Sequence, residues 1–173
     1  ILAIGIGNDG CKIAEALAGE KLKFSKTQLF KCFAISNDLT FLSSLTNIDS
    51  DNRCPFITTF DRKKVDGIVN KILSLPELYE TYLLITDIFD EFGYSVTLEF
   101  IKNLKERAEE PIITLNLIPP LDKPRNLSEM KRRLRNIRKV TDVLILFENK
   151  NNVRKKIADS FGILAAAGEL EVR

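Results

Sequence analysis

The chain has no histidine and no tryptophan, one methionine and three cysteines. Without histidine, His-ligated zinc sites, Ser-His triads and Cys-His dyads are excluded within these 173 residues. Cys11, Cys32 and Cys54 are too few for a disulfide framework and lack metal-ligand spacing. No apolar run reaches the roughly 18 residues of a membrane span, and nothing reads as a signal peptide, so the expectation is a cytoplasmic protein with no membrane partner. Eight glycines and six prolines are too few and too scattered for a linker, repeat or low-complexity segment. A net charge of +2 gives no argument for nucleic-acid binding. That charge is uneven: residues 1–120 carry 13 Lys/Arg against 17 Asp/Glu, and residues 121–173 carry 13 against 7. The basic C-terminal portion reads first as solvated helix faces, with an acidic partner as the alternative. Ile1 already lies in a strand-like run, so a few residues are expected to precede it.

What is present is alternation. The apolar runs ILAIGI (1–6), FKCFAIS (30–36), CPFITTF (54–60), TYLLITDIF (81–89), PIITLNLI (111–118) and TDVLILFE (141–148) read as six strands, with Pro55 suggesting an edge for the third. Helices are expected at about 9–22, 39–45, 61–73, 94–109, 127–139 and 151–168. Asp38 and Asp61 are candidate caps, Asn126 and Glu129 have capping-box spacing, and Leu127, Met130, Leu134 and Ile137 form an apolar stripe. Continuous rather than alternating runs imply strands buried on both faces. The expected fold is α/β: one three-layer, doubly wound, mostly parallel Rossmann-like sheet in order 3-2-1-4-5-6, with helices on both faces.

Such a sheet binds ligands beyond the carboxyl ends of its strands, near the switch point between the first and fourth. The residues placed there are Gly7, Asn8, Asp9, Gly10 and Cys11; Ser36, Asn37 and Asp38; Asp87 to Gly93; Pro119 to Asp122; and Glu148 and Asn149. Gly5, Gly7 and Gly10 have G-x-G-x-x-G spacing between a strand and a helix, the pattern of a phosphate-cradling turn. Dehydrogenase chemistry would need an acid after the second strand for the ribose. Asp38 supplies one but serves equally as a helix cap. Asp9, Asp38, Asp87, Asp90 and Glu91 converge on one sheet edge, as a divalent-cation or basic-partner site or as loop caps and solvated charges. The basic run Lys131, Arg132, Arg133, Arg135, Arg138 and Lys139 is assigned to an outward helix face, and Phe89 and Phe92 to loop anchoring. Cys11, beside a helix N-terminus, is a thiol whose pKa could be lowered.

Several segments, in order, resemble the nucleotide-binding domain of the tubulin/FtsZ superfamily, and most nearly that of prokaryotic FtsZ. IGIGNDGCKIAEAL is similar to the first glycine loop, with Gly7, Gly10 and Cys11 matching. FAISNDLTFLSSL resembles A-I-N-T-D-x-x-x-L through Ala34, Ile35, Asp38 and Leu42, and IITLNLIPPLDKP resembles V-x-V-V-T-K-P-F. TDVLILFENKNN is similar to V-D-S-L-I-V-I-P-N-D-K, keeping Asp142, Leu144, Ile145 and Asn149, and IADSFGILAAAGEL to the central helix, keeping Asp159, Phe161 and Gly162. The resemblance implies one domain over 1–173 that ends in the central helix, without the C-terminal activation domain. It also implies a GTP or GDP pocket, self-association into filaments or a protein partner, and a role of the cell-division type. Gly7, Asn8, Asp9, Gly10, Cys11 and Gly93 would face the phosphates; Asp38, Asn149 and Phe161 would approach ribose and base.

The departures from the pattern matter as much. Where the superfamily has G-G-G-T-G-[ST]-G, this chain has TDIFDEFGYS, with Gly93 alone surviving and Asp87, Asp90 and Glu91 introduced. Carboxylates that close repel a triphosphate by about 1–4 kcal/mol per pair, unless Asp87, Asp90 and Glu91 hold a bridging Mg²⁺. The base-reading pair falls on Ala165 and Ala166, and the N-x-D-x-x-D catalytic loop would lie beyond Arg173. The expectation is a divergent GTP/GDP-binding domain with weakened or lost hydrolysis. A non-catalytic assembly or partner-binding module without nucleotide is the alternative, and an NAD(P)-binding module the second.

Overall fold

The continuous apolar runs form a sheet covered on both sides. A computed structural model of the chain describes residues 1–20, 29–56, 61–121 and 126–172, and the side chains of the last helix as far as Ala165. Strands β1 (Leu2–Ile6), β2 (Lys31–Ser36), β3 (Arg53–Pro55), β4 (Tyr82–Asp87), β5 (Ile112–Ile118) and β6 (Val143–Glu148) make one six-stranded sheet in order β3-β2-β1-β4-β5-β6. Every neighbouring pair is parallel. The order is the one expected from the run pattern, and the pairing, expected to be mostly parallel, is parallel throughout the sheet.

Helices α1 (Gly7–Ala18), α2 (Leu39–Ser43), α3 (Arg62–Leu73), α4 (Glu91–Arg107), α5 (Leu127–Arg138) and α6 (Val153–Val172) fill the crossovers and the C-terminal end. One face of the sheet buries Ile4, Phe33 and Leu84 with Val65, Val69, Phe100, Ile101 and Ile137 from α3, α4 and α5. The other buries Ala3, Leu83 and Leu115 with Ile13, Leu17, Ile157 and Phe161 from α1 and α6. β6 is an edge strand, and Val143 and Leu146 on it are 47% and 43% exposed. Pro55 sits on the opposite edge, where its missing N–H costs nothing.

Caps fall where the side chains allow them. Asp38 accepts from the Phe41 N–H, Asp61 from Lys63 and Asn126 from Glu129. Two helices begin earlier than their apolar periodicity suggests. α1 starts at Gly7 and α4 at Glu91. The acidic stretch after β4 is therefore a three-residue turn, Ile88–Asp90, running into a helical turn. Residues 21–22 of the expected first helix, 57–60 of the expected third strand and Asp122 lie outside the described residues.

One side chain ties α1 to the connection between α2 and β3. The Glu15 carboxylate accepts from the Thr46 N–H and Oγ1 at 2.6 and 3.0 Å, the Asn47 N–H at 2.6 Å and the Ile48 N–H at 3.0 Å. Burial pushes its pKa up, but these donors outweigh that and hold it below the usual 4.5. A pKa depressed in the folded state gives stability that is complete above the unfolded value and lost as pH falls through the folded one. Glu15→Gln should lower stability by about 1–3 kcal/mol at pH 7. Urea unfolding at pH 7 and pH 3 checks this: the gap between variant and parent should narrow at the lower pH.

Candidate functional site

The sheet's carboxyl edge is organised by the junction of β1 and α1. Gly7 turns the chain straight from strand to helix at φ +81, a left-handed conformation that side chains resist. No side chain caps α1. At Gly10 a Cβ would stand 2.1 Å from the Ile85 carbonyl oxygen, so only glycine lets α1 lie this close to β4. Cys11, read from sequence as facing phosphate, is fully buried, and its thiol donates to the Gly5 and Ile35 carbonyls, both at 3.3 Å. Burial pushes its pKa up, the opposite of the activation that a helix N-terminus would give. Gly10 and Cys11 are thus packing residues of the helix–sheet contact.

The polar groups along this edge bond to one another. Ser36 Oγ donates to Asn8 Oδ1 at 2.6 Å, and Asn8 Nδ2 donates to Asp38 Oδ2 at 3.1 Å. Asp38 also caps α2, and the Phe41 N–H together with Asn8 holds its pKa below the usual range. On the other side, Asn149 Nδ2 donates to Asp9 Oδ2 at 3.2 Å, and Lys12 lies 3.6 Å from Asp9 Oδ1. Asp9, Lys12, Asn149 and Arg154 open onto a cleft of about 630 Å³ with Asn151 and Asn152. Phe161 does not line it. That ring is buried with Ile13 and Ile157 under the sheet.

The β4–α4 turn sends its carboxylates to three different places. Asp87 Oδ1 accepts from the Phe89 N–H at 2.8 Å; burial, then Asp9 and Asp90, raise its pKa, with the Phe89 N–H and Asn149 opposing. Glu91 turns away to Arg133 Nη2 at 2.5 Å. Asp90 leans across to α1, with Oδ2 2.3 Å from the position a Cβ on Gly7 would take and 3.1 Å from that on Gly93. The Phe92 and Gly93 N–H groups face this carboxylate, although no cap hydrogen bond is closed. Burial raises its pKa, with smaller pushes from Asp9 and Glu91. Gly93 is needed for packing, since a Cβ there would meet Thr86 Oγ1 at 2.4 Å. Asp87, Asp90 and Glu91 therefore do not converge as a cation site, and among the described residues no group of carboxylates or thiols gathers to hold a metal.

These placements bear on the phosphate group that the family resemblance implies. A nucleotide phosphate would need the clear space above Gly7 and the open N–H groups of two helix ends. Here a carboxylate stands in that space, so the residues present do not fit a phosphate at this position.

Arg133 was assigned to a solvated face and is instead buried. Its Nη1 donates to the Ile88 carbonyl at 2.8 Å, Nη2 reaches Glu91, and Nε reaches Glu129 at 2.9 Å. Its guanidinium lies 4.9 Å from the Tyr94 ring centre and 6.0 Å from that of Phe89. Arg132, then Arg133, lower the Glu129 pKa to about 2. The signal was in the sequence: Arg133 lies within the stripe of Met130, Leu134 and Ile137, four residues after Glu129. Phe92 meets Phe56 edge-on at 5.5 Å, as an anchor should.

A six-stranded doubly wound sheet with a glycine turn after β1 defines a Rossmann-like α/β domain. Among solved structures it is similar to CetZ1 from Haloferax volcanii as a GDP-bound monomer, with TM-score 0.79 and 18% identity over 96% of this chain and 60% of that one. CetZ2 from the same organism, a GTPgS-bound protofilament, gives 0.72 and 18% over 97% and 58%. TubZ of Bacillus thuringiensis serovar israelensis, in GDP-form protofilaments, gives 0.68 and 16% over 99% and 53%. The resemblance to the tubulin/FtsZ superfamily is thus shown at the level of the fold. The chain spans somewhat more than half the length of these relatives. Neither a sequence-family model nor a curated protein sequence matches it.

Arg133→Ala would leave the Ile88 carbonyl without its donor, remove one cation from Glu91 and one from Glu129, which keeps Arg132, and empty a buried site; it should cost about 2–4 kcal/mol. Arg133→Lys should recover less than half of this, because a single ammonium cannot serve three acceptors in a planar fork. Urea midpoints for the three proteins measure both.

Proposed function

We propose that this chain is the assembly domain of a tubulin/FtsZ-type filament system. In this reading its guanine-nucleotide binding is weakened and it performs no hydrolysis of its own. The observation that carries the nucleotide part is the Asp90 carboxylate lying over Gly7, where the fold would seat a phosphate. The closed networks of Asn8 with Asp38 and of Asp9 with Asn149 support it, since each would have to open to serve a ligand. GTP or GDP remains the ligand class, with Mg²⁺ left to any phosphate it brings. The self-association part takes its support from the fold relatives, which include protofilaments of CetZ2 and TubZ. A setting of the cell-division type rests on the FtsZ-like segments alone. The NAD(P) reading keeps only the glycine spacing, because Asp38 is engaged as a cap.

Two measurements test this. Calorimetric titration with GTP, GDP and NADH, with and without Mg²⁺, should show no affinity better than millimolar. Sedimentation velocity across a concentration series should show oligomers that GTP does not promote. Sub-millimolar GTP binding would refute the weakened site, tight NADH binding would overturn the family reading, and a monomer at every concentration would remove the assembly role.

A further inference from the structure

We infer that the Asp90 side chain is a built-in occupant of the phosphate position at the start of α1, excluding a ligand by filling the seat and not merely by repelling its charge. The inference deepens the reading of weakened nucleotide binding and is independent of the reading of self-assembly.

The geometry is specific to this carboxylate. Asp90 stands at the N-cap position of α4, where an aspartate ordinarily closes a hydrogen bond onto its own helix. It does not do so. Its Oδ2 instead occupies the space beside the Cα of Gly7, 2.3 Å from where a Cβ would lie. Gly7 holds that space clear by its left-handed backbone, and it opens a helix that no side chain caps. The only acid in α1's own first turn is Asp9, which is turned toward Asn149 and Lys12. A negative group at this helix end is stabilised by the helix dipole and by N–H groups without intrahelical partners. The Phe92 and Gly93 N–H groups of α4 face the same carboxylate from the other side. Asp90 thereby lies between the two helix starts, its carboxylate facing N–H groups of α4 and filling the space over Gly7 of α1.

Steric occupation and charge repulsion make different demands on position 90. Repulsion falls with distance and is screened at the surface, so an acid elsewhere on the edge is no measure of it. If charge alone kept phosphate out, Asp90→Asn, which removes the charge and keeps the size, would help as much as Asp90→Ser. If the seat is filled, only the shorter side chain opens it.

The test uses the full 173-residue chain and inorganic pyrophosphate and GDP as probes. Asp90→Ser is the main variant, because serine is short and uncharged yet remains a good helix cap, so α4 keeps its start. Asp90→Gly opens the seat further, and Asp90→Asn removes the charge while keeping the size. Calorimetry should give at least a tenfold gain in pyrophosphate affinity for Asp90→Ser over the parent, a comparable gain for GDP, and less than threefold for Asp90→Asn. Millimolar pyrophosphate should raise the melting temperature of Asp90→Ser and leave that of the parent unchanged. A folded Asp90→Ser that binds no better than the parent would overturn the inference. So would an equal gain in Asp90→Asn, or a parent that already binds pyrophosphate as tightly as the variant. A parent that assembles while Asp90→Ser gains nothing removes this inference alone; a monomeric parent whose variant gains affinity removes only the assembly role.

Discussion

How closely α1 lies on the sheet governs everything at its carboxyl edge. The contact is backbone to backbone. Gly10 brings the helix so near that any side chain there would overlap the Ile85 carbonyl of β4. The buried Cys11 thiol secures the same contact toward β1 and β2 through the Gly5 and Ile35 carbonyls. With the helix fixed at that depth, Asn8 reaches Ser36 and Asp38 at the end of β2, and Asp9 faces Asn149 after β6. The N-terminal end of α1 also comes under the β4–α4 turn, within reach of Asp90. One helix–sheet contact therefore sets the partners of three acidic groups.

Those groups fare differently, and the difference comes from their donors. Asp38 accepts from a backbone N–H and an amide at the surface, so its charged form is favoured. Asp87 and Asp90 are partly withdrawn from water and face other carboxylates, so theirs is disfavoured. Carrying such acids costs stability at neutral pH, because their charged forms are favoured more in the unfolded chain. Arg133 does not relieve Asp90, because it spends its three contacts on the Ile88 carbonyl, Glu91 and Glu129. What it does is fix the turn from below, between Phe89 and Tyr94. The turn that carries Asp90 is therefore held by a buried cation.

The fold was legible from residues because it rests on burial. Runs such as LAIGI and YLLITD must be covered on both sides, which demands parallel pairing with helical crossovers, and this is the observed sheet. Caps at Asp38, Asp61 and Asn126 were legible because a short acceptor before an apolar stripe has few other uses. The site was less so. Sequence spacing placed Gly10 and Cys11 at a phosphate turn without revealing that their first duty is close packing. It grouped Asp87, Asp90 and Glu91 by nearness in the chain, whereas the end of a strand, a cap position and the first residue of a helix point in three directions. Arg133 reads as one of a run of solvated cations because its charge masks its place on the buried side of the helix. Periodicity reports which face a residue occupies; which partner a polar group finds depends on elements far away in the chain.

A phosphate at the switch point would serve as the common acceptor for N–H groups at the start of α1 and of α4. Remove it, and those donors need water or another acceptor. In this chain Asp90 offers a carboxylate from α4 to the start of α1, while Asn8 and Asn149 give side-chain amides to Asp38 and Asp9. These acceptors are supplied by the chain itself, and the Asn8 and Asn149 amides tie α1 directly to the chain that follows β2 and β6.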